Sequence, residues 1–365
     1  MAGELILITG GTGLIGIKTI HTALKAGYSV RAAVRSQAEA NAVLAAPTVK
    51  AINPGDKQTF VIVPDILADN AYDEAVKGVK YIIQYCLPRE GFTPDQYESE
   101  LIAPAIKGTT SILSAAYKNP GIKRIVITYS VVAIIPLRRP FPAGPYTNPL
   151  EAYAPNQIRA LLATKEFLWE KKPEWDAINI MPSSVVDDNE MITDPRSISD
   201  GTVSAAFAQV LGGDSGWGAV PSTSIHPANI ARLHVKALDP KIAGNHIFLA
   251  VSEGERGTRW EEAIEIVNRD FPEAVKKGVL PNNNGPATTK RTKVDSSRTE
   301  KVFGFKFQSY EEQVKSAVSW ASGGACCLKW EIYVKRQIDI QIGHTSWLYQ
   351  PLAVSMIYWL GVLAI

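Results

Sequence analysis

Cysteine is scarce in this chain: Cys86, Cys326 and Cys327 are the only three. They supply neither a disulfide framework nor zinc-ligand spacing, which points to a reducing, cytoplasmic compartment. Charge of one sign is also missing. Lys and Arg number 38 against 36 Asp and Glu, so no global field selects nucleic acid or acidic partners. Histidine offers no metal site, because His226 and His234 stand eight positions apart without a partner at ligand spacing. The basic run "ATTKRTKVDSSRTEKVFGF" lacks a stacking aromatic before Phe303 and reads as a solvated segment. The apolar start has no basic n-region and is broken by glycines, so it reads better as a strand and turn than as a secretory leader. One apolar run approaches the length needed to span a bilayer. The closing "WLYQPLAVSMIYWLGVLAI" carries no charge, but Gln350 and Pro351 divide it. Membrane contact through this tail is the minor reading, beside a packed or disordered extension or a translated intron.

What is present suits an ordinary globular protein. With 46% hydrophobic and 20% charged residues, the 365-residue chain can bury one large core with a smaller lobe attached. Glu4 to Thr9 reads as a strand buried on both faces. It runs into Gly10, Gly11, Gly13 and Gly16, and then into a helical pattern of Ile17, Ile20, Ala23 and Leu24. Glycines there let the backbone turn and approach a pyrophosphate, while the helix N-terminus presents free N–H groups. Gly10, Thr12, Gly13, Leu14, Ile15 and Gly16 are the candidate phosphate cradle.

The second strand, "YSVRAAVRS", closes without the acid that usually holds the adenosine ribose of NAD; the first acid is Glu39. Arg35 stands there and favours a 2′-phosphate, hence NADP(H). A third strand from Phe60 to Val63 ends near Asp65 and Ile66, and a fourth from Tyr81 to Tyr85 ends at Cys86. In an open parallel sheet the ligand lies beyond such strand ends. Asp65 and Ile66 are therefore candidates for the adenine side and Cys86 for the nicotinamide ribose.

"TGGTGLIG", Arg35, "RIVITYS", "INIMPSSVV" and "SIHPANIARLHVKAL" together resemble the extended short-chain dehydrogenase/reductase family. The resemblance is to its dihydroflavonol-reductase-like or 3β-hydroxysteroid-dehydrogenase-like branch in fungal form, from about Glu4 to Trp320. It implies an α/β fold, a doubly wound Rossmann sheet with a small C-terminal substrate lobe. It also implies a Ser, Tyr and Lys acting together on a carbonyl. Ser130, at the end of "RIVITYS", matches the serine, and Pro182 and Val185 match the lining of the nicotinamide face, although Asp187 and Asp188 replace the usual Phe-Gly. Two registers exist for the tyrosine. "LLATK" would place Lys165 correctly but put Leu161 where the acid belongs; the twenty positions from Tyr153 to Pro173 match the family spacing and favour Tyr153. Its partner is then Gln157 where the family has lysine.

A free tyrosine has a pKa of about 10, and a nearby ammonium brings the proton transfer closer to neutral pH. Glutamine lacks that charge but can hydrogen-bond ribose hydroxyls. Loss of a positioned acid is worth about 10²–10⁴-fold in rate. Pro155 suggests that the helix begins near Ala154, with Tyr153 at its mouth. Lys165 lies eight residues beyond Gln157, a rise of about 12 Å, too far to substitute.

The expected domains are a Rossmann domain over 1–185 with 225–252 interleaved, a mainly substrate-binding lobe over 186–322, and an atypical extension over 323–365. Phe207 and Trp217 either stack on a substrate or belong to the core. The expected activity is NADPH-dependent reduction of a ketone or aldehyde on a small, aromatic or polyketide-type secondary metabolite. The alternative is an impaired NADP-binding protein serving as a sensor. Substrate and oligomeric state are not readable.

Overall fold

The computed structural model describes residues 3–85, 96–134, 149–192, 201–211, 219–278, 280 and 288–323. The chain begins with β1 (Leu5–Thr9), α1 (Leu14–Lys25), β2 (Ser29–Val34), α2 (Gln37–Ala45), α3 (Pro47–Ile52) and β3 (Gln58–Ile62). β4 (Tyr81–Gln84), α4 (Ala103–Tyr117), β5 (Arg124–Thr128), α5 (Pro149–Lys171) and β6 (Asp176–Pro182) continue the alternation. Then come β7 (Ser184–Val185), α6 (Ser204–Leu211), β8 (Ala219–Pro221), β9 (Ser224–Ile225), α7 (Pro227–Lys236) and β10 (His246–Ala250). The chain closes with α8 (Glu262–Asp270), α9 (Pro272–Lys276), β11 (Thr288–Lys290), α10 (Ser297–Phe303) and α11 (Tyr310–Gly323). The first strands match the sequence reading to within a residue or two at their ends, where fraying moves boundaries.

Seven of these strands form one parallel sheet in the order β10-β6-β5-β4-β1-β2-β3. Helical crossovers cover both faces, so the inner strands are apolar on both, while the edge strand β3 leaves Thr59 and Ile62 exposed. β1 does this by alternation: Ile6 and Ile8 enter the layer under α1 and α7, while Leu7 enters the layer under α4 and α5. β6 repeats the pattern with Ile178 and Ile180 on one side and Ala177 and Met181 on the other. The order reverses between β1 and β4, the switch point that opens a crevice at the carboxyl ends of those strands. This is a Rossmann-type α/β fold.

A third apolar cluster runs from Val186 to Val318 and is built around Trp260, whose indole N–H donates to Pro221 O at 2.9 Å. Phe207 is buried in this cluster, so the core reading holds for it; Trp217 lies outside the described residues. Among the described residues no helix is long and apolar enough to cross a membrane, and the tail from 324 onward is not among them.

One expectation is corrected. α5 begins at Pro149 and carries Pro155 in its interior, so Tyr153 sits on a helical turn and not at the helix mouth. Pro149 has its φ preset for a helix start, and Pro155 forfeits only the bond to the carbonyl of residue 151 near that same end.

Candidate active site

Glycine spacing shapes the first part of the site. Gly10 takes φ +63°, a left-handed conformation, and accepts the Gly13 N–H at 3.0 Å. A Cβ on Gly16 would fall 2.1 Å from Gly10 O, so α1 packs against the turn only because a hydrogen stands there. Gly13 caps α1 with no side-chain bond, leaving the first N–H groups of the helix for another acceptor. Thr12 and Leu14 are partly exposed; Ile15 is buried in the core, so only its backbone is on offer.

Arg35 follows β2 and pairs with Glu39, its Nε donating to Oε1 at 2.7 Å. Asp65 is exposed, and its carboxylate accepts the Leu67 N–H at 2.8 Å. Ile66 is half-buried and its Cδ1 lies beside Gly108 of α4. Cys86 lies outside the described residues.

Ser130 and Tyr153 come together from different elements. Ser130 follows β5, is buried, and accepts the Val132 N–H at 3.4 Å. Tyr153, on α5, stays partly exposed while its hydroxyl makes a hydrogen-bonding contact with the Ser130 side chain. Burial pushes the Tyr153 phenol up to about 12, and the contact with Ser130 offsets only part of this. Neighbouring Tyr129 takes a structural part, its hydroxyl 2.6 Å from Thr164 Oγ1 and donating to Ala160 O at 3.2 Å. Lys165 is exposed on the far turns of α5.

Gln157 is fully buried. Its Nε2 donates to Asn156 Oδ1 at 3.3 Å, and Asn156 Nδ2 donates to Leu101 O at 2.9 Å. Among the described residues Gln157 Oε1 has no hydrogen-bond partner. Nothing local in the sequence marks Asn156 for this part, because Leu101 is 55 positions away.

Pro182 and Val185 are both buried, and Thr202 Oγ1 accepts the Val185 N–H at 2.9 Å and donates to Val185 O at 2.8 Å. The acids that follow form a second polar cluster. Lys18 of α1 donates to Asp188 Oδ1 at 3.2 Å and lies 3.8 Å from Asp187 Oδ2. His226, whose Nδ1 accepts the Ala228 N–H at the start of α7, faces Asp187 Oδ2 at 3.2 Å through Nε2. Burial, then the charge of Asp187, raises Asp188 to about 6, while burial and then Lys18 lower His226 to about 4. His234 is structural: it is buried, with Nε2 2.6 Å from Thr128 Oγ1 and Nδ1 2.8 Å from Ile230 O. Among the described residues no three His, Cys, Asp or Glu side chains group to hold a metal.

A nicotinamide dinucleotide fits these residues on two observations. The Gly10–Gly16 contact is a cradle that any Cβ would fill, and the buried Gln157 Oε1 needs a donor such as a sugar hydroxyl.

Comparison with known proteins agrees. Residues 6–239 match the NAD dependent epimerase/dehydratase family. The chain is 34% identical to the ketoreductase CTB6 of Cercospora nicotianae, across 87% of this chain and 95% of that protein. It is 30% identical to the NAD-dependent epimerase/dehydratase ALT6 of Alternaria alternata, across 86% and 96%. Among solved structures, yeast methylglyoxal/isovaleraldehyde reductase Gre2 complexed with NADPH has a similar fold, with TM-score 0.68 and 20% identity over 90% of this chain and 99% of that one. The chain belongs to the NAD dependent epimerase/dehydratase family.

Proposed function

We propose that this protein is an NADPH-dependent reductase that turns a ketone or aldehyde on a small, aromatic or polyketide-type secondary metabolite into an alcohol. The observation that carries the reading is the meeting of Ser130 and Tyr153 just past the carboxyl end of β5. Fungal relatives named ketoreductases support carbonyl reduction, and they favour turnover over the cofactor-sensor alternative.

The first turn of α1 and the backbone of Gly10, Thr12, Gly13, Leu14, Ile15 and Gly16 would hold the pyrophosphate. Arg35 would meet the 2′-phosphate, Asp65 and Ile66 the adenine side, and Cys86, Tyr153 and Gln157 the nicotinamide ribose. Pro182 and Val185 would back the nicotinamide. The lobe over 186–322 would close the substrate pocket.

When bound, the cofactor supplies a hydride to the carbonyl carbon. Tyr153 gives its proton to the carbonyl oxygen, and Ser130 donates a hydrogen bond to the same oxygen and orients it. A phenol held near 12 is protonated throughout the neutral range, as a proton donor must be. Gln157 brings no charge to ease the loss of that proton, so the acid is weaker than one beside an ammonium.

The test is loss of reduced-nicotinamide absorbance over a panel of aromatic ketones and aldehydes, with cofactor binding followed by fluorescence. Tyr153→Phe should abolish turnover and leave NADPH affinity near that of the parent. Binding without turnover on every carbonyl tried would overturn the reductase reading in favour of the sensor.

A further inference from the structure

The turn between β2 and α2 holds an ion pair that a 2′-phosphate site does not require. The β1–β2 register pairs Thr9 with Ala33, which sets Arg35 beside the glycine turn. The guanidinium is turned toward α2, with Nε donating to Glu39 Oε1 at 2.7 Å and Nη2 2.5 Å from the same oxygen. The Arg35 backbone N–H donates to Glu39 Oε2 at 2.8 Å, and the Glu39 N–H is held by Ser36 Oγ at 3.3 Å. The carboxylate is thus anchored at both of its oxygens and through its own backbone.

Two consequences follow from charge. The Nε–Nη2 edge of Arg35 is engaged by Glu39 and must release it before that edge can meet a phosphate. A phosphate seated at Arg35 then carries its negative charge next to Glu39, where like charges repel. NADH behaves differently. Its ribose 2′-hydroxyl is neutral and can donate to a carboxylate.

We infer that Glu39 is a selectivity-determining residue that offsets Arg35, so that the site takes NADPH and NADH with affinities within about tenfold of each other. This rests on the dinucleotide site proposed above. Glu39 also closes the β2–α2 turn, and a purely structural part would affect both cofactors alike.

The experiment measures NADPH and NADH dissociation constants by fluorescence on the full chain and on Glu39→Gln, which keeps an acceptor oxygen for the Arg35 N–H. The substitution should tighten NADPH by about three- to tenfold and leave NADH unchanged or weaker, with the gain shrinking as salt is added. Arg35→Gln, as the second variant, should weaken NADPH while sparing NADH. An unchanged NADPH-to-NADH ratio in Glu39→Gln, or equal weakening of both, overturns the inference and leaves the reductase reading intact. Failure of the parent chain to bind either nucleotide overturns both.

Discussion

Gln157 Nε2 donates to Asn156 Oδ1 across 3.3 Å, and this bond decides which end of the Gln157 amide is left over. The Leu101 carbonyl can only accept, so Asn156 must present its NH₂ there and its oxygen toward Gln157. Gln157 must in turn present its NH₂ to Asn156, which leaves Oε1 as the unpaired atom. A lysine at this position would offer donors and a positive charge. Here the position offers an acceptor and no charge, so its ligand has to bring a hydroxyl or an N–H.

Reduction should be insensitive to the titration of Tyr153 between about pH 6 and about pH 9, because the phenol is held near 12. Gln157→Lys should raise turnover by about tenfold or more and bring a basic limb into the profile, since an ammonium favours the phenolate. Rate–pH profiles of the two proteins decide the matter. Superimposable profiles would mean that position 157 does not tune Tyr153.

Asn156→Leu should destabilise the fold by about 1–3 kcal/mol, because it strands the Leu101 carbonyl and the Gln157 amide in a buried site. Urea unfolding measures this directly. A midpoint unmoved from the parent would show that the relay is not formed.

Gly16→Ala should cost about 2 kcal/mol and weaken NADPH binding, since its methyl would press on Gly10 O and force α1 off the turn. Thermal unfolding with and without NADPH separates the two effects. Gly304→Ala is the control: it occupies a left-handed helix end far along the chain, so it should lower stability without touching cofactor affinity.

Acid stability is shaped by the buried His226 and His234 and the half-buried Asp188. Asp188 is raised to about 6, so its contribution is complete below the unfolded value of about 3.8 and is lost as pH rises through 6. His226 and His234 are lowered to about 4 and about 3, so theirs is present above about 6.5 and lost as pH falls through those values. Between about pH 4 and about pH 6 these two histidines, joined by His21, which burial and then Lys25 also lower, outweigh the one acid, and stability should rise with pH. Asp188→Asn should steepen that rise and His226→Gln should flatten it. Lys18, Asp187 and Glu190 face the same cluster, so urea midpoints at about pH 4.5 and about pH 6 are compared within each variant.

Local pattern carried much of the fold. The glycine turn between β1 and α1 and the apolar runs of the first four strands are legible because period and turn chemistry depend on near neighbours. Ser130 and Tyr153 are singled out by resemblance to the family's motif and spacing, and the structure brings the two side chains into contact. The start of α5 was not legible. Pro155 argued for a later start, whereas Pro149 begins the helix and packing of Ala152, Ala154 and Ala160 holds it through the proline. Phe207 could not be assigned to the core from its neighbours, since the residues that enclose it, such as Trp260 and Tyr310, are distant in the chain.

By itself, then, the sequence determined the Rossmann-type alternation, the glycine cradle, and the absence of a charged partner for Tyr153 at position 157. Only the tertiary structure decided which atom of Gln157 is unpaired, that Arg35 is turned toward Glu39, and that Asp187 and Asp188 meet Lys18 and His226. Residue type is a property of the chain, but hydrogen-bond direction and the field at a buried group depend on atoms brought close by folding. Leu101 with Asn156, and Lys18 with Asp188, lie 55 and 170 positions apart along the chain.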